Sequence, residues 1–300
     1  MNIILAKANN IVKRSFWYNN VQFPDCRKFW DIKPTQFDVV NIGSTASLNA
    51  FNYSDISLEC ANLAMTSQFL LADFEILKYY SKFIKKGGTV ILGMSLFPFD
   101  GYDVTYFDRR YYTILPSSSI WNYSAYELKQ AEEIKEMPIN YYPIIELYYS
   151  IKRMFCKKRR TFLSKEDYVN DAKRKMKDGW MKQFEITNLD KPMSQSNMSL
   201  ADQMIEIMIR IRDLCKEQGF NFVMVMPPVS PSLKSWLTPS VRDNYIYVCK
   251  NSEMLNTVRY LDYLDDMDFD SFDNFENSYI LNRKGSQLFT HKVLNDLNLL

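Results

Sequence analysis

The chain has 300 residues, 47% of them hydrophobic, 15% aromatic and 24% charged, the composition of an ordinary globular core. Its 37 Lys and Arg nearly cancel its 35 Asp and Glu, so no whole-molecule field draws in an anionic membrane, and nucleic acid is not expected as a partner. The single histidine, His291, excludes more: no metal site needing two histidines can form, and a nucleophile served by imidazole must use this one.

Five cysteines (Cys26, Cys60, Cys156, Cys215 and Cys249) are scattered and never form a C-x-x-C pair, the pattern of reduced thiols in a cytoplasmic protein. The opening apolar run is broken by Lys7 and Asn9 and is too short for a signal peptide. No apolar stretch reaches the roughly 18 residues of a membrane span.

In chain order, FDVVNIG (Phe37 to Gly43) is a β-branched apolar run stopped by glycine, as expected of a buried parallel strand. SLECANLA (Ser57 to Ala64) is a second candidate. An amphipathic helix is expected from Phe69 to Lys86, with Leu70, Phe74, Leu77 and Tyr80 on its apolar face. It should end at Gly87-Gly88, ahead of the strand TVILGM.

The pattern returns after the middle of the chain. Ala201 to Gln218 places Met204, Ile207, Met208, Ile211 and Cys215 on one helical face, Gly219 stops it, and NFVMVM follows as a strand. A helix from Ser240 to Asn251, a fifth strand in VRYLDYL, and a final helix from Arg283 to Leu297 capped by Asn282 complete the reading. Alternating strands and helices imply an α/β fold with a three-layer, doubly wound parallel sheet of about five strands.

Residues 101–192 break this rhythm and read as a mostly helical, basic insertion within a single domain spanning 1–300. Lys152 to Lys182 carries twelve Lys or Arg against four Asp or Glu. A solvated helix face is the reading favoured for that run; membrane contact is expected to be at most peripheral, through 152–182. Asp262 to Glu276, with seven acids and no base, could pair with it.

Chemistry-bearing residues concentrate in two segments. In DVVNIGSTASLNAF a strand ends in Gly43-Ser44-Thr45, where small hydroxyls stand in the position of a nucleophile beyond the sheet's carboxyl edge. Taken alone, that turn equally suits a helix cap. The second segment, FENSYILNRKGSQLFTHKVL, runs into the last helix.

Together these segments resemble the SGNH (GDSL-like) hydrolase family, in the branch found beside bacterial polysaccharide-biosynthesis genes. There the first block reads like VVNLGSS and leads into an AF-D/N-Y element, here AFNYSDI from Ala50 to Ile56. The last block reads like F-x-D-S-x-H-L-N-x-x-G-x-x-x-F-T. Here Phe275, Asn277, Ser278, Ile280, Leu281, Asn282, Gly285, Phe289 and Thr290 stand at those positions.

Carried across residue by residue, the resemblance puts the nucleophile on Thr45, with Ser44 beside it. It puts the oxyanion region around Gly43, Ala64 and Ser95, the aspartate on Asn277 and the histidine on Ile280. The family's work is removal or transfer of acyl groups, often acetyl, on carbohydrate hydroxyls. Isoleucine moves no proton and asparagine offers no charge to an imidazole, so the resemblance implies a degenerate esterase that binds a glycan or a partner enzyme. An active O-acyl esterase or acyltransferase with a rearranged site is the alternative.

On the last helix, His291 shares a face with Lys284, Gln287 and Asn295, which should turn it to solvent rather than toward the nucleophile. No metal and no cofactor is expected. The G-x-G nucleotide turn is absent after FDVVNI, and the chain has no G-x-x-x-x-G-K-S/T loop.

Overall fold

The computed structural model describes residues 3–33, 35–98, 107–155 and 163–300. In chain order its first elements are α1 (Ile3–Val12), α2 (Arg27–Trp30), β1 (Phe37–Gly43), α3 (Thr45–Ala50), β2 (Cys60–Asn62), α4 (Leu70–Tyr80) and β3 (Ile84–Gly93). The helices α5 (Ala125–Glu136), α6 (Ile144–Phe155), α7 (Lys165–Arg174) and α8 (Gln195–Gln218) follow. The chain closes with β4 (Asn221–Met226), α9 (Pro231–Lys234), α10 (Pro239–Val241), β5 (Arg259–Asp262) and α11 (Arg283–Asp296).

These elements pack as two compact units, Met1–Lys33 with Thr105–Phe162, and Pro34–Val104 with Leu163–Leu300. The first is helical. The second holds one five-stranded sheet of order β2-β1-β3-β4-β5 in which every pair is parallel. The protein is therefore α/β with a doubly wound parallel sheet, as the strand-helix alternation implies. Residues 163–192 of the expected insertion belong to the sheet unit.

The sheet forms because its inner strands are apolar on both faces. Val39, Ile91, Val223 and Val225 pack with Phe289, Val293 and Leu294 of α11 and with Phe51 just beyond α3. Successive side chains alternate, so Val40, Val90, Leu92 and Met224, equally buried, serve the opposite face, where α4 packs on α8. At about 25 cal/mol per Å² of apolar area, burying each such side chain contributes roughly 1.5–3 kcal/mol before chain entropy is subtracted.

Several boundaries differ from the sequence reading. The helix expected to reach Lys86 stops at Tyr80, because Ile84 already pairs with Phe37 in the sheet; Lys85 to Gly88 form the irregularity between that pair and the next, Val39 with Thr89. The Ser240–Asn251 helix reduces to the short α10 and a π-helical turn at Arg242–Ile246. Asn282 does cap α11, its Oδ1 accepting from the Gly285 amide at 3.0 Å.

Among the described residues, the acidic stretch pairs with bases outside the 152–182 run. Asp265 pairs with Arg242, Asp270 with Lys234 at 2.9 Å, and Asp266 and Asp268 with Lys292. The basic cluster Lys157, Lys158, Arg159 and Arg160, with Cys156 before it, lies outside the described residues. Cys26, Cys60, Cys215 and Cys249 are free thiols. No described helix is long and apolar enough to cross a membrane.

Candidate functional site

β1 ends in Gly43, whose φ of +127° only glycine adopts without strain. A Cβ there would also sit 2.6 Å from the Gly93 carbonyl of β3, so the two strand ends close on each other only because this residue lacks one. The turn that follows delivers Ser44 to the start of α3. Ser44 takes the N-cap backbone position, yet its hydroxyl makes no cap bond. The Thr45 hydroxyl accepts the Ser67 amide at 3.0 Å.

A cleft of about 50 Å³, room for several waters, opens where β1 and β3 end. Ser44, Gln68, Asp73 and Ser95 supply its polar side chains, while Leu70, Met204 and Met208 from α4 and α8 form part of its apolar wall. Gly43, Ser44 and Ser95, expected from the sequence, thus come together. Thr45, Ala64, Asn277 and Ile280 do not line this cleft.

Asp73 dominates its electrostatics. The carboxyl is 2% exposed, accepts the Gly43 amide at 2.6 Å, and receives a second hydrogen bond from Gln68 Nε2. Among the described residues no cation lines the cleft to hold its charge, and burial pushes its pKa up to about 7, against smaller lowering by the Gln68 and Gly43 donors. Gln68 is itself 4% exposed, and its buried Oε1 has no hydrogen-bond partner among the described residues.

Two expected oxyanion donors are occupied by the fold. The Gly43 amide is given to Asp73, and the Ala64 amide to Asn62 Oδ1 at 3.2 Å. Asn62 belongs to a buried amide network: its Oδ1 also accepts from Asn41 Nδ2 at 3.0 Å, and its Nδ2 donates to the Leu48 and Phe51 carbonyls. This network fixes the loop after β2; with Gly43 given to Asp73 and Ala64 to Asn62, both amides are already committed within the fold.

The last block is brought to the first. The Asn52 amide donates to Thr290 Oγ1 at 2.8 Å, and the Phe51 and Phe289 rings lie 5.4 Å apart. Within the block, Asn277 Oδ1 accepts the Tyr279 and Ile280 amides at 2.9 and 3.0 Å, an Asx turn. Ser278 is pinned to α7, its amide and hydroxyl donating to Asp171 Oδ2 at 3.0 and 2.6 Å. Donors from Lys175, Ser278 and Arg174 outweigh burial and hold Asp171 well below the usual carboxylate range.

His291 is half-exposed and pairs with Asp55 at 3.1 Å, so its turn toward solvent is as the helical spacing implies and its partner is a surface carboxylate. A chain of aromatic contacts links the cleft to the last block: Phe97 on the cleft wall lies 5.2 Å from Trp180, and Trp180 lies 5.2 Å from Tyr279. Trp180 and Tyr279 are half-buried, each keeping part of its surface open.

Sequence reasoning missed Asp73, Gln68 and Trp180. The signal for Asp73 was present: in LLADFEIL an acid falls on the same helical face as Leu70, Leu77 and Tyr80. A charge on a buried stripe is a functional-site candidate. No protein-family model matches the chain, and a search of curated proteins finds no significant match.

Proposed function

We propose that this chain is a catalytically degenerate SGNH-hydrolase-like protein of surface-polysaccharide biosynthesis or modification, binding a glycan or a partner enzyme. The observation that carries the reading is the chemistry of the last block. Asn277 and Ile280 stand where the resemblance puts aspartate and histidine, and the Asn277 carbonyl is committed to two backbone amides. A serine hydroxyl near neutral pH needs a base within hydrogen-bond reach, and His291 is engaged with Asp55. The occupied Gly43 and Ala64 amides support the same reading. The open parts of Trp180 and Tyr279 offer flat apolar faces against which a sugar ring can pack.

The test is labelling with a serine-reactive fluorophosphonate. The intact protein should not be labelled at Ser44 or Thr45; labelling that disappears in Ser44→Ala or Thr45→Ala overturns the reading.

One observation favours a second reading, an active carbohydrate O-acyl (acetyl) esterase or acyltransferase with a rearranged site. Asp73, poised near 7, lines the same cleft as Ser44 and could serve as base. It predicts slow hydrolysis of p-nitrophenyl acetate that rises through about pH 7 and is lost in Ser44→Ala and in Asp73→Asn. A rate unchanged by alanine at both Ser44 and Thr45 excludes it.

A further inference from the structure

The near-neutral balance of the whole chain hides a division between its units. Met1–Lys33 with Thr105–Phe162 carries sixteen Lys or Arg against eight Asp or Glu, leaving twenty-one against twenty-seven for the sheet unit. Among the described residues, the helical unit also holds twelve of the twenty exposed large apolar side chains, although it supplies under a third of those residues.

Two of its helices share one design. On α1, Ile3, Ile4, Lys7 and Ile11 fall within an arc of about 100°, all exposed, and each isoleucine keeps at least 72% of its surface in solvent. On α6, Ile144, Ile145, Tyr148, Tyr149 and Lys152 fall within about 140°, again all exposed, with Ile144 at 87%. Each arc is a stripe of isoleucine, joined on α6 by tyrosine, with a lysine inside it. Lone exposed apolar residues need no explanation, but two such stripes within a net-positive unit do.

We propose that the helical unit docks on anionic lipid bilayers, with α1 and α6 lying in the interface, their isoleucines in the acyl boundary and Lys7 and Lys152 at the headgroups. Charge decides the occupant. Among the described residues the unit carries twelve Lys or Arg against eight Asp or Glu, so a second copy would bring two net-positive units together, whereas an anionic leaflet neutralises the charge while covering the apolar stripes. Tyrosine suits the same depth, since its ring is apolar and its hydroxyl wet. The proposal rests on this unit alone and stands apart from the cleft in the sheet unit.

The test is flotation of the intact chain with vesicles of phosphatidylcholine, pure or in a roughly 7:3 mixture with phosphatidylserine. Binding should favour the mixed vesicles by at least about tenfold and fall as NaCl rises from about 0.1 M to about 0.5 M. Ile144→Ser with Ile145→Ser and Tyr148→Ser, or Ile3→Ser with Ile4→Ser, should each lower it by about tenfold. Lys7→Glu with Lys152→Glu should do the same on mixed vesicles while leaving thermal melting unchanged, which separates lost docking from lost folding. Failure to float at low salt overturns the proposal, as does binding indifferent to both the serine and the glutamate variants. A concentration-dependent dimer that the isoleucine variants convert to monomer, without vesicle binding, overturns it in favour of self-association.

Discussion

Asp73→Asn provides the sharpest test of how the cleft is built. In the folded protein the carboxyl is buried beside Leu70, Met204 and Met208, and its pKa rises from 3.8 to about 7. Between those values the folded state holds a proton that the unfolded state has released, so stability falls as pH rises. The cost is absent below about pH 4 and complete above about pH 7. At 1.36 kcal/mol per pH unit it amounts to about 4 kcal/mol. Asparagine keeps an oxygen for the Gly43 amide and Gln68 Nε2 and carries no charge to desolvate. The variant should therefore gain on the wild type by about 2–3 kcal/mol between about pH 5 and about pH 8, a widening in Tm of roughly 5 °C. Thermal melts of both proteins at the two pH values read this directly. A gap of the same size at both would refute the reasoning, because it would mean that Asp73 stays charged, or stays neutral, throughout.

Three further outcomes follow from the last block. Asp171→Ala should cost about 2–4 kcal/mol in urea denaturation near neutral pH, because it removes the acceptor for the Ser278 amide and hydroxyl and for Arg174 and Lys175. Its depressed pKa makes that contribution present above about pH 4 and lost as pH falls further, so the gap from wild type should narrow in acid. Gly285→Ala places a Cβ 2.0 Å from the Asn274 carbonyl oxygen and should destabilise by at least about 3 kcal/mol in the same assay. His291→Gln should change stability by under about 1 kcal/mol, since its pair with Asp55 is exposed, and should leave any p-nitrophenyl acetate hydrolysis as it was.

Strand positions were legible because buried parallel strands read as apolar runs: FDVVNIG, TVILG and NFVMVM each lie in the sheet. Helix ends were less so. The lysines and glycines of IKKGG read as a helix stop, yet Ile84 pairs with Phe37, and the strand absorbs Gly87 at a φ of +80°. Local propensity cannot report a pairing made across the sheet. Charge partners were illegible for the same reason. Among the described residues, Asp265 and Asp270 pair with Arg242 and Lys234, brought close through the loops after β4 and β5. The candidate nucleophile turn was visible as a glycine followed by hydroxyls. That its neighbouring amides are committed to Asp73 and Asn62 could emerge only once α4 and β2 were seen beside it.

The asparagines, Ser278 and Thr290 of the last block have structural duties. Asn277 closes a turn, Ser278 anchors α7 through Asp171, and Asn282 caps α11. Gly285 permits contact with the Asn274 backbone, and Thr290 receives the Asn52 amide. Loss of any one would leave a buried group without a partner or force backbone apart, at a cost of about 1–3 kcal/mol each. Stability therefore suffices to keep this pattern without any catalysis, and its presence says nothing of activity. Only the positions that carry protons in the family could speak to that. On the proposed resemblance these are Ile280, which moves no proton, and Asn277, whose side-chain carbonyl is already taken by two backbone amides; that pair of positions, rather than the rest of the pattern, is what the proposed loss of catalysis rests on.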